Sequence, residues 1–249
     1  VFKRLCERAK LDPQHRYAIF IDEINRGNVA KVLGELITLI EVDKRANYDS
    51  DGCLLDGMEL TLPYSGERFG VPRNLDIYGS MNTADRSIAL LDAALRRRFQ
   101  FRELMPDSLV ISGAQGDGYI PDGEGGVLNL RALLDTINRR ISYLLHRDQT
   151  IGHAFFTRVR DMQGLRGVLC REVIPLLQET FYNDWQRIRL IFGDVKAPLE
   201  LQIVREFTDS AIDVFGELED SLPETQRFQI CAPDEITPEA VRKIYEPLV

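Results

Sequence analysis

The strongest constraint on the fold is the continuous apolar run Tyr17-Ala18-Ile19-Phe20-Ile21, which stops abruptly at Asp22-Glu23. Five apolar residues in a row suit a strand buried on both faces, as the central strands of parallel sheets are. A second run, Leu75-Asp76-Ile77-Tyr78-Gly79-Ser80-Met81, leads in the same way into Asn82-Thr83-Ala84-Asp85-Arg86. Joined through a helix, two such strands are expected to lie side by side and parallel. Their polar exits would then share one edge of the sheet.

Apolar spacing supplies the helices around them. Phe2, Leu5, Cys6 and Ala9 mark a short opening helix that breaks at Leu11-Asp12-Pro13, and Val29, Val32, Leu33, Leu36, Ile37 and Ile40 mark another. The turn-rich Asn47 to Gly52 and the alternating Glu59 to Leu62 predict a hairpin inserted at about residues 46–72. Ile88, Leu91, Ala94 and Leu95 predict a helix ending in Arg96-Arg97-Arg98, followed by a short third strand from Phe99 to Phe101. The glycine-rich, acidic residues within 107–127 predict a flexible linker or surface loop. Helical periodicity over Leu128 to Leu145 and Leu165 to Tyr182 predicts a mainly helical second domain over 128–249. In that domain Leu199 to Val204 would form a strand and Pro238 to Tyr245 a last helix. The fold class is therefore α/β, with a parallel-sheet core over residues 1–106 and a helical domain after it.

The chain has 249 residues, 44% hydrophobic and 28% charged, as expected of a globular protein placed in the cytoplasm. No apolar run reaches the roughly 18 to 20 residues that cross a bilayer. Cys6, Cys53, Cys170 and Cys231 never form a CxxC pair, which predicts neither zinc nor a disulfide framework. With 39 acidic against 31 basic side chains, the net charge of −8 disfavours a surface that clamps nucleic acid unaided. A ring with a pore lined by a few Arg or Lys stays compatible with that charge.

Asp22-Glu23 at a strand end suits hydrolysis of a phosphate ester with magnesium. Asp22 can hold the ion's hydration shell, and Glu23 can orient and polarise the attacking water. The plainer reading is a solvated strand end that caps the next helix. Asn82 can hydrogen-bond both the water and the terminal phosphate, or it can simply begin a turn in which Thr83 or Asp85 caps the following helix. Cations at the end of the helix complement its dipole. One of them could equally reach the nucleotide of a neighbouring subunit as an arginine finger.

Ile19-Phe20-Ile21-Asp22-Glu23-Ile24-Asn25-Arg26-Gly27-Asn28 resembles the Walker B strand and following loop of AAA+ proteins. Met81-Asn82-Thr83-Ala84-Asp85-Arg86-Ser87 resembles the signature of the McrB family, the GTP-hydrolysing motor subunits of modification-dependent restriction systems. Ala94-Leu95-Arg96-Arg97-Arg98-Phe99 fits the same branch, and weaker echoes occur at Ile151 to Phe156 and Glu172 to Leu177. The resemblance implies an AAA+ P-loop core and a helical lid. It assigns Asp22 to magnesium, Glu23 to the base-like carboxylate, Asn82 to sensor 1 and Arg97 or Arg98 to the finger. Asp85 and Arg86 would lie in the signature loop beside the nucleotide and the subunit interface, or form a cap and a surface ion pair. His153 would lie near the nucleotide, or be a partly buried histidine with its hydrogen bonds met.

The resemblance further implies GTP in preference to ATP, Mg2+, a homo-oligomeric ring such as a hexamer, DNA passing through it, and cleavage by a separate McrC-like nuclease. The family's GxxxxGK[ST] loop is absent from these residues. The expectation is that it precedes Val1, so that the N-terminal part of the core is missing here. A MoxR-like ATPase that remodels proteins, or an inert assembly subunit, are the competing readings.

Overall fold

The computed structural model describes residues 1–27, 31, 33–82, 93–216 and 223–246. The chain divides into two compact units, Val1–Glu103 and Leu104–Val249.

In the first unit, helix α1 (Phe2–Leu11) buries Cys6 and Ala9 and leads to strand β1 (Tyr17–Ile21). Asn74 ties the exit of α1 to the second long strand, its amide donating to the carbonyls of Ala9, Asp12 and His15 at 3.0, 3.0 and 2.8 Å. The inserted region forms two short hairpins where one was expected. They are β2 (Asn47–Tyr48) with β3 (Leu54–Asp56), and β4 (Leu60–Thr61) with β5 (Arg68–Phe69). Strand β6 (Leu75–Gly79) then pairs with β1 in parallel. Cys6, Ala9, Leu39, Phe69, Val71 and Leu75 form the core of this unit, with Tyr17 and Ile19 packed against it.

Of the helix expected over Val29 to Ile40, Lys31 and Leu33 are helical, Gly34–Ile37 is a 3-10 segment and residues 38–40 are turn, while residues 29, 30 and 32 lie outside the described residues. Helix α2 spans Ala93–Arg96, so most of the helix expected before the arginines lies outside the described residues. The third strand expected at Phe99 to Phe101 does not form; these residues carry no regular structure.

The second unit begins earlier than the periodicity suggested. Residues 107–127, expected as a linker, carry a 3-10 turn at Ser108–Val110, strand β7 (Tyr119–Pro121) and the start of β8 (Val127–Asn129). Ile111, Ile120 and Leu128 are fully buried in the core of this unit, and their burial holds the glycine-rich turns in place. Asn129 caps α3 (Leu130–Leu144) by accepting from the Ala132 N–H at 3.0 Å. Leu130, Leu133, Leu134, Ile137 and Ile141 form the buried stripe of that helix.

The helix expected over Leu165 to Tyr182 occurs in three pieces: α4 (Met162–Val168), a π-helical turn at Leu169–Val173, and α5 (Ile174–Thr180). Pro175 cannot donate to the preceding turn, and the π turn lies immediately before that break. Helix α6 (Trp185–Phe192) ends at Gly193, whose φ of 72° is the left-handed stop that glycine takes without strain. The expected strand at 199–204 is instead a 3-10 turn at Leu199–Leu201 followed by β9 (Val204–Asp209). Strand β9 pairs antiparallel with β10 (Thr225–Ile230), the short α7 (Ala211–Phe215) lies between them, and α8 (Pro238–Tyr245) falls where periodicity put it. Among the described residues no helix is long and apolar enough to cross a membrane.

Candidate active site

Strands β1 and β6 are in full register from Tyr17 opposite Leu75 to Ile21 opposite Gly79. Parallel pairing in that register brings Asp22-Glu23 and Ser80-Met81-Asn82 out at one edge, all of them exposed. The two tips are stitched together. The Ser80 N–H donates to the Ile21 carbonyl at 3.0 Å, and the Ile24 N–H returns to the Ser80 carbonyl at 2.9 Å. The Ser80 hydroxyl accepts from the Glu23 N–H at 3.0 Å and donates to the Asp22 carboxylate. The Asn25 amide donates to the Asn82 carbonyl at 3.3 Å.

Two backbone features shape this edge. Glu23 takes a φ of 50°, a left-handed conformation that costs a non-glycine residue on the order of 1 kcal/mol or more. It also pairs with Arg26, Nε to Oε1 at 2.9 Å. Gly79 lets Ile24 fold back over the tip of β6; a Cβ there would meet Ile24 Cδ1 at 2.9 Å. Ile24, buried, thus anchors the loop that carries the two carboxylates.

Ser80 was not singled out in the sequence. Its position opposite Asp22, one step past the Ile21–Gly79 pair, is the signal that could have found it.

The remaining candidates are placed as follows. Asp85 and Arg86 lie outside the described residues. Arg97 is exposed at the end of α2. Arg98, only 17% exposed, reaches Glu41, Nη2 to Oε1 at 2.6 Å. Glu41 also accepts from Lys44 Nζ at 2.7 Å. The Lys44 hydrogen bond first, and Arg98 after it, hold the Glu41 carboxyl below the usual glutamate range. His153 belongs to the second unit, where its Nδ1 accepts from the Asp107 N–H at 3.0 Å.

Among the described residues no group of three or more His, Cys, Asp or Glu side chains could cage a metal. An exposed carboxylate such as Asp22 instead suits magnesium, which keeps much of its water and needs one or two protein carboxylates beside substrate phosphates.

A parallel pair whose polar tips meet at one edge, in a unit followed by a separate helical one, describes an AAA-type core with its lid. Residues 3–99 match the AAA domain (dynein-related subfamily), and residues 129–189 match the McrB alpha-helical lid domain. Over 199 residues, 74% of this chain, it is 35% identical to the type IV methyl-directed restriction enzyme EcoKMcrB subunit of Escherichia coli (strain K12), covering 41% of that protein. It is 30% identical over 175 residues, 67% of this chain, to the type II restriction enzyme BsuMI component YdiS of Bacillus subtilis (strain 168), covering 49% of it. The chain belongs to the McrB family of AAA+ proteins. Its matches span less than half the length of these curated relatives.

Proposed function

We propose that this chain carries the hydrolytic half of a nucleoside-triphosphatase site and serves as the motor of a restriction system. The observation that carries the reading is the in-register β1–β6 pair, which sets Asp22, Glu23 and Asn82 at one exposed edge. Glu23 orients the attacking water, Asn82 hydrogen-bonds that water and the terminal phosphate, and Asp22 holds the hydration shell of Mg2+. When bound, magnesium supplies neutralisation of phosphate charge. Ser80 positions both carboxylate residues through its single hydroxyl. Asp85 and Arg86 belong to the signature loop at the subunit interface, and His153 is the lid's candidate contact to the nucleotide.

The nucleotide is GTP ahead of ATP, and the working form is a homo-oligomeric ring, a hexamer by resemblance, in which Arg97 or Arg98 completes a neighbour's site. Both relatives are components of restriction enzymes, which supports a role in restriction; by resemblance, the ring moves DNA while a separate McrC-like nuclease subunit cuts it.

The test is Glu23→Gln in the full-length protein. Nucleotide binding and ring assembly are expected to persist while GTP turnover falls by about 10² to 10⁴, the range for removing a general base. Turnover at the wild-type rate would remove Glu23 from the mechanism. Faster hydrolysis of ATP than of GTP would reverse the nucleotide assignment.

A further inference from the structure

Arg97 and Arg98 follow α2 in the turn that closes it, and they sit differently: Arg97 is exposed, whereas Arg98 is half-buried. The Arg98 N–H donates to the Leu95 carbonyl at 2.9 Å, which keeps this last turn tight. Leu95, 2% exposed, fixes its inner side.

Arg98 points to a carboxylate that is itself held. Glu41 opens the 3-10 turn Val42–Lys44, and its carbonyl accepts the Lys44 N–H at 3.0 Å while Lys44 Nζ reaches its carboxylate. The preceding residue, Ile40, is buried, and its carbonyl accepts from Arg45 Nε at 3.0 Å. Arg45 Nη1 donates onward to the carbonyl of Leu75, the first residue of β6, at 2.8 Å. A chain of contacts therefore runs from the start of β6, the strand that leads to Ser80 and Asn82, through Arg45 to Ile40, and from the adjacent Glu41 to Arg98.

A guanidinium that is mostly buried and charge-paired would have to surrender a strong hydrogen bond before it could serve a phosphate elsewhere. Arg97, exposed on the same turn, faces no such cost.

The geometry points to a division of labour: Arg98 is a positioning residue braced on Glu41, and Arg97 is the cation offered to the nucleotide of an adjacent subunit. This assignment rests on the hydrolase reading above. It adds Glu41, which no sequence pattern marks, as the residue that holds Arg98 in place.

Lysine replacements separate the two roles, because an ion pair with a carboxylate can be kept by an ammonium whereas a finger uses the guanidinium fork. GTP turnover and ring assembly are measured on the full-length protein. Arg97→Lys and Arg97→Ala are expected to lose about 10³-fold or more in turnover with the ring intact, the range of an arginine finger. Both should be complemented on mixing with Glu23→Gln subunits.

Arg98→Lys should keep most turnover. Arg98→Glu and Glu41→Arg should each lose about 10²-fold, as a misplaced catalytic group does. The Arg98→Glu/Glu41→Arg pair should recover at least about tenfold of that loss, the mark of a direct coupling. Thermal unfolding of each variant identifies any that fails to fold, and for such a variant Arg98→Lys decides.

An Arg98→Lys ring as inactive as Arg98→Ala, beside an active Arg97→Ala ring, overturns the assignment and makes Arg98 the finger. Wild-type protein that hydrolyses neither GTP nor ATP overturns the hydrolase reading itself, and this assignment with it.

Discussion

The two units solve stability differently. The second has one continuous core that runs from Ile111 through α3, α4, α5 and α6 to Ile244. It even buries an ion pair: Lys243 Nζ meets Asp194 Oδ1 at 2.7 Å, with side chains 1% and 0% exposed. The C-terminus of α6 is closed by two cations, Arg140 Nη1 donating to the Ile191 carbonyl at 2.6 Å and Lys243 Nζ to the Phe192 carbonyl at 3.0 Å. The first unit has a small core on one side of β1 and β6. On the other side Phe20 is 78% and Tyr78 51% exposed, their rings stacked at 5.0 Å. The lid invests in packing, whereas the unit with the candidate chemistry holds its polar groups by a handful of exposed hydrogen bonds around Ser80.

The largest effect should come from breaking the lid's buried pair. Asp194 accepts from the Ile203 and Val204 N–H groups at 3.1 and 2.8 Å as well as from Lys243. Asp194→Ala leaves a buried ammonium and two buried donors without their acceptor. The expected loss is about 3 to 5 kcal/mol, read from the urea midpoint of the lid transition. Ser80→Ala is the matching change in the first unit, and it should cost only about 1 kcal/mol, as for one exchanged hydrogen bond. Similar losses at the two sites would break the contrast.

Acid should sharpen it next. Asp122, at the β7–β8 turn, accepts from the Glu124 and Gly126 N–H groups and from Arg242 of α8, each contact at 2.8 to 2.9 Å. The Glu124 N–H first, then Gly126 and Arg242, hold its carboxyl below the ordinary aspartate value of 3.8. Because the folded pKa lies below the unfolded one, the stabilisation is complete above 3.8 and is lost as pH falls through the depressed value. Lid stability measured against pH should therefore fall on the acid side of 3.8, and Asp122→Asn should flatten that limb. An unchanged limb would mean that the turn is not held by this carboxylate.

The strands of the first unit and their polar exits were legible in sequence because both are local signals, but burial was not: β1, expected to be buried on both faces, has no fully buried residue and exposes Ala18 and Phe20. The apolar run Tyr17–Ile21 and the run from Leu75 each announce a strand, and their polar exits follow at once. The stripe of α3 and the start of α8 at Thr237-Pro238 were legible for the same reason. What stayed hidden depends on distant partners. Glu41 and Arg98 are 57 positions apart, and no periodicity links them. The glycine-rich stretch before β7 looked flexible because composition cannot show that Gly113, at φ 63°, packs against Tyr119, whose carbonyl oxygen would lie 2.3 Å from an added Cβ. Nor could it show that isolated Ile111 and Ile120 would be fully buried.

The smallest effect is expected on the outer face of the β1–β6 pair, and it probes the contrast most directly. Phe20 and Ile19 are consecutive residues of one strand, yet Ile19 packs on the core while Phe20 stacks on Tyr78 in the open. Phe20→Ala should cost about 0.5 to 1.5 kcal/mol, the worth of an aromatic pair with little burial to lose. Ile19→Ala should cost more, toward the roughly 2 to 5 kcal/mol of a core truncation, though its partial exposure keeps it near the lower end. Both are measurable by denaturant unfolding of the first unit. Parallel strands are ordinarily covered on both faces. If the two substitutions cost the same, the aromatic face is buried in the protein in solution, and the first unit shares the lid's strategy after all.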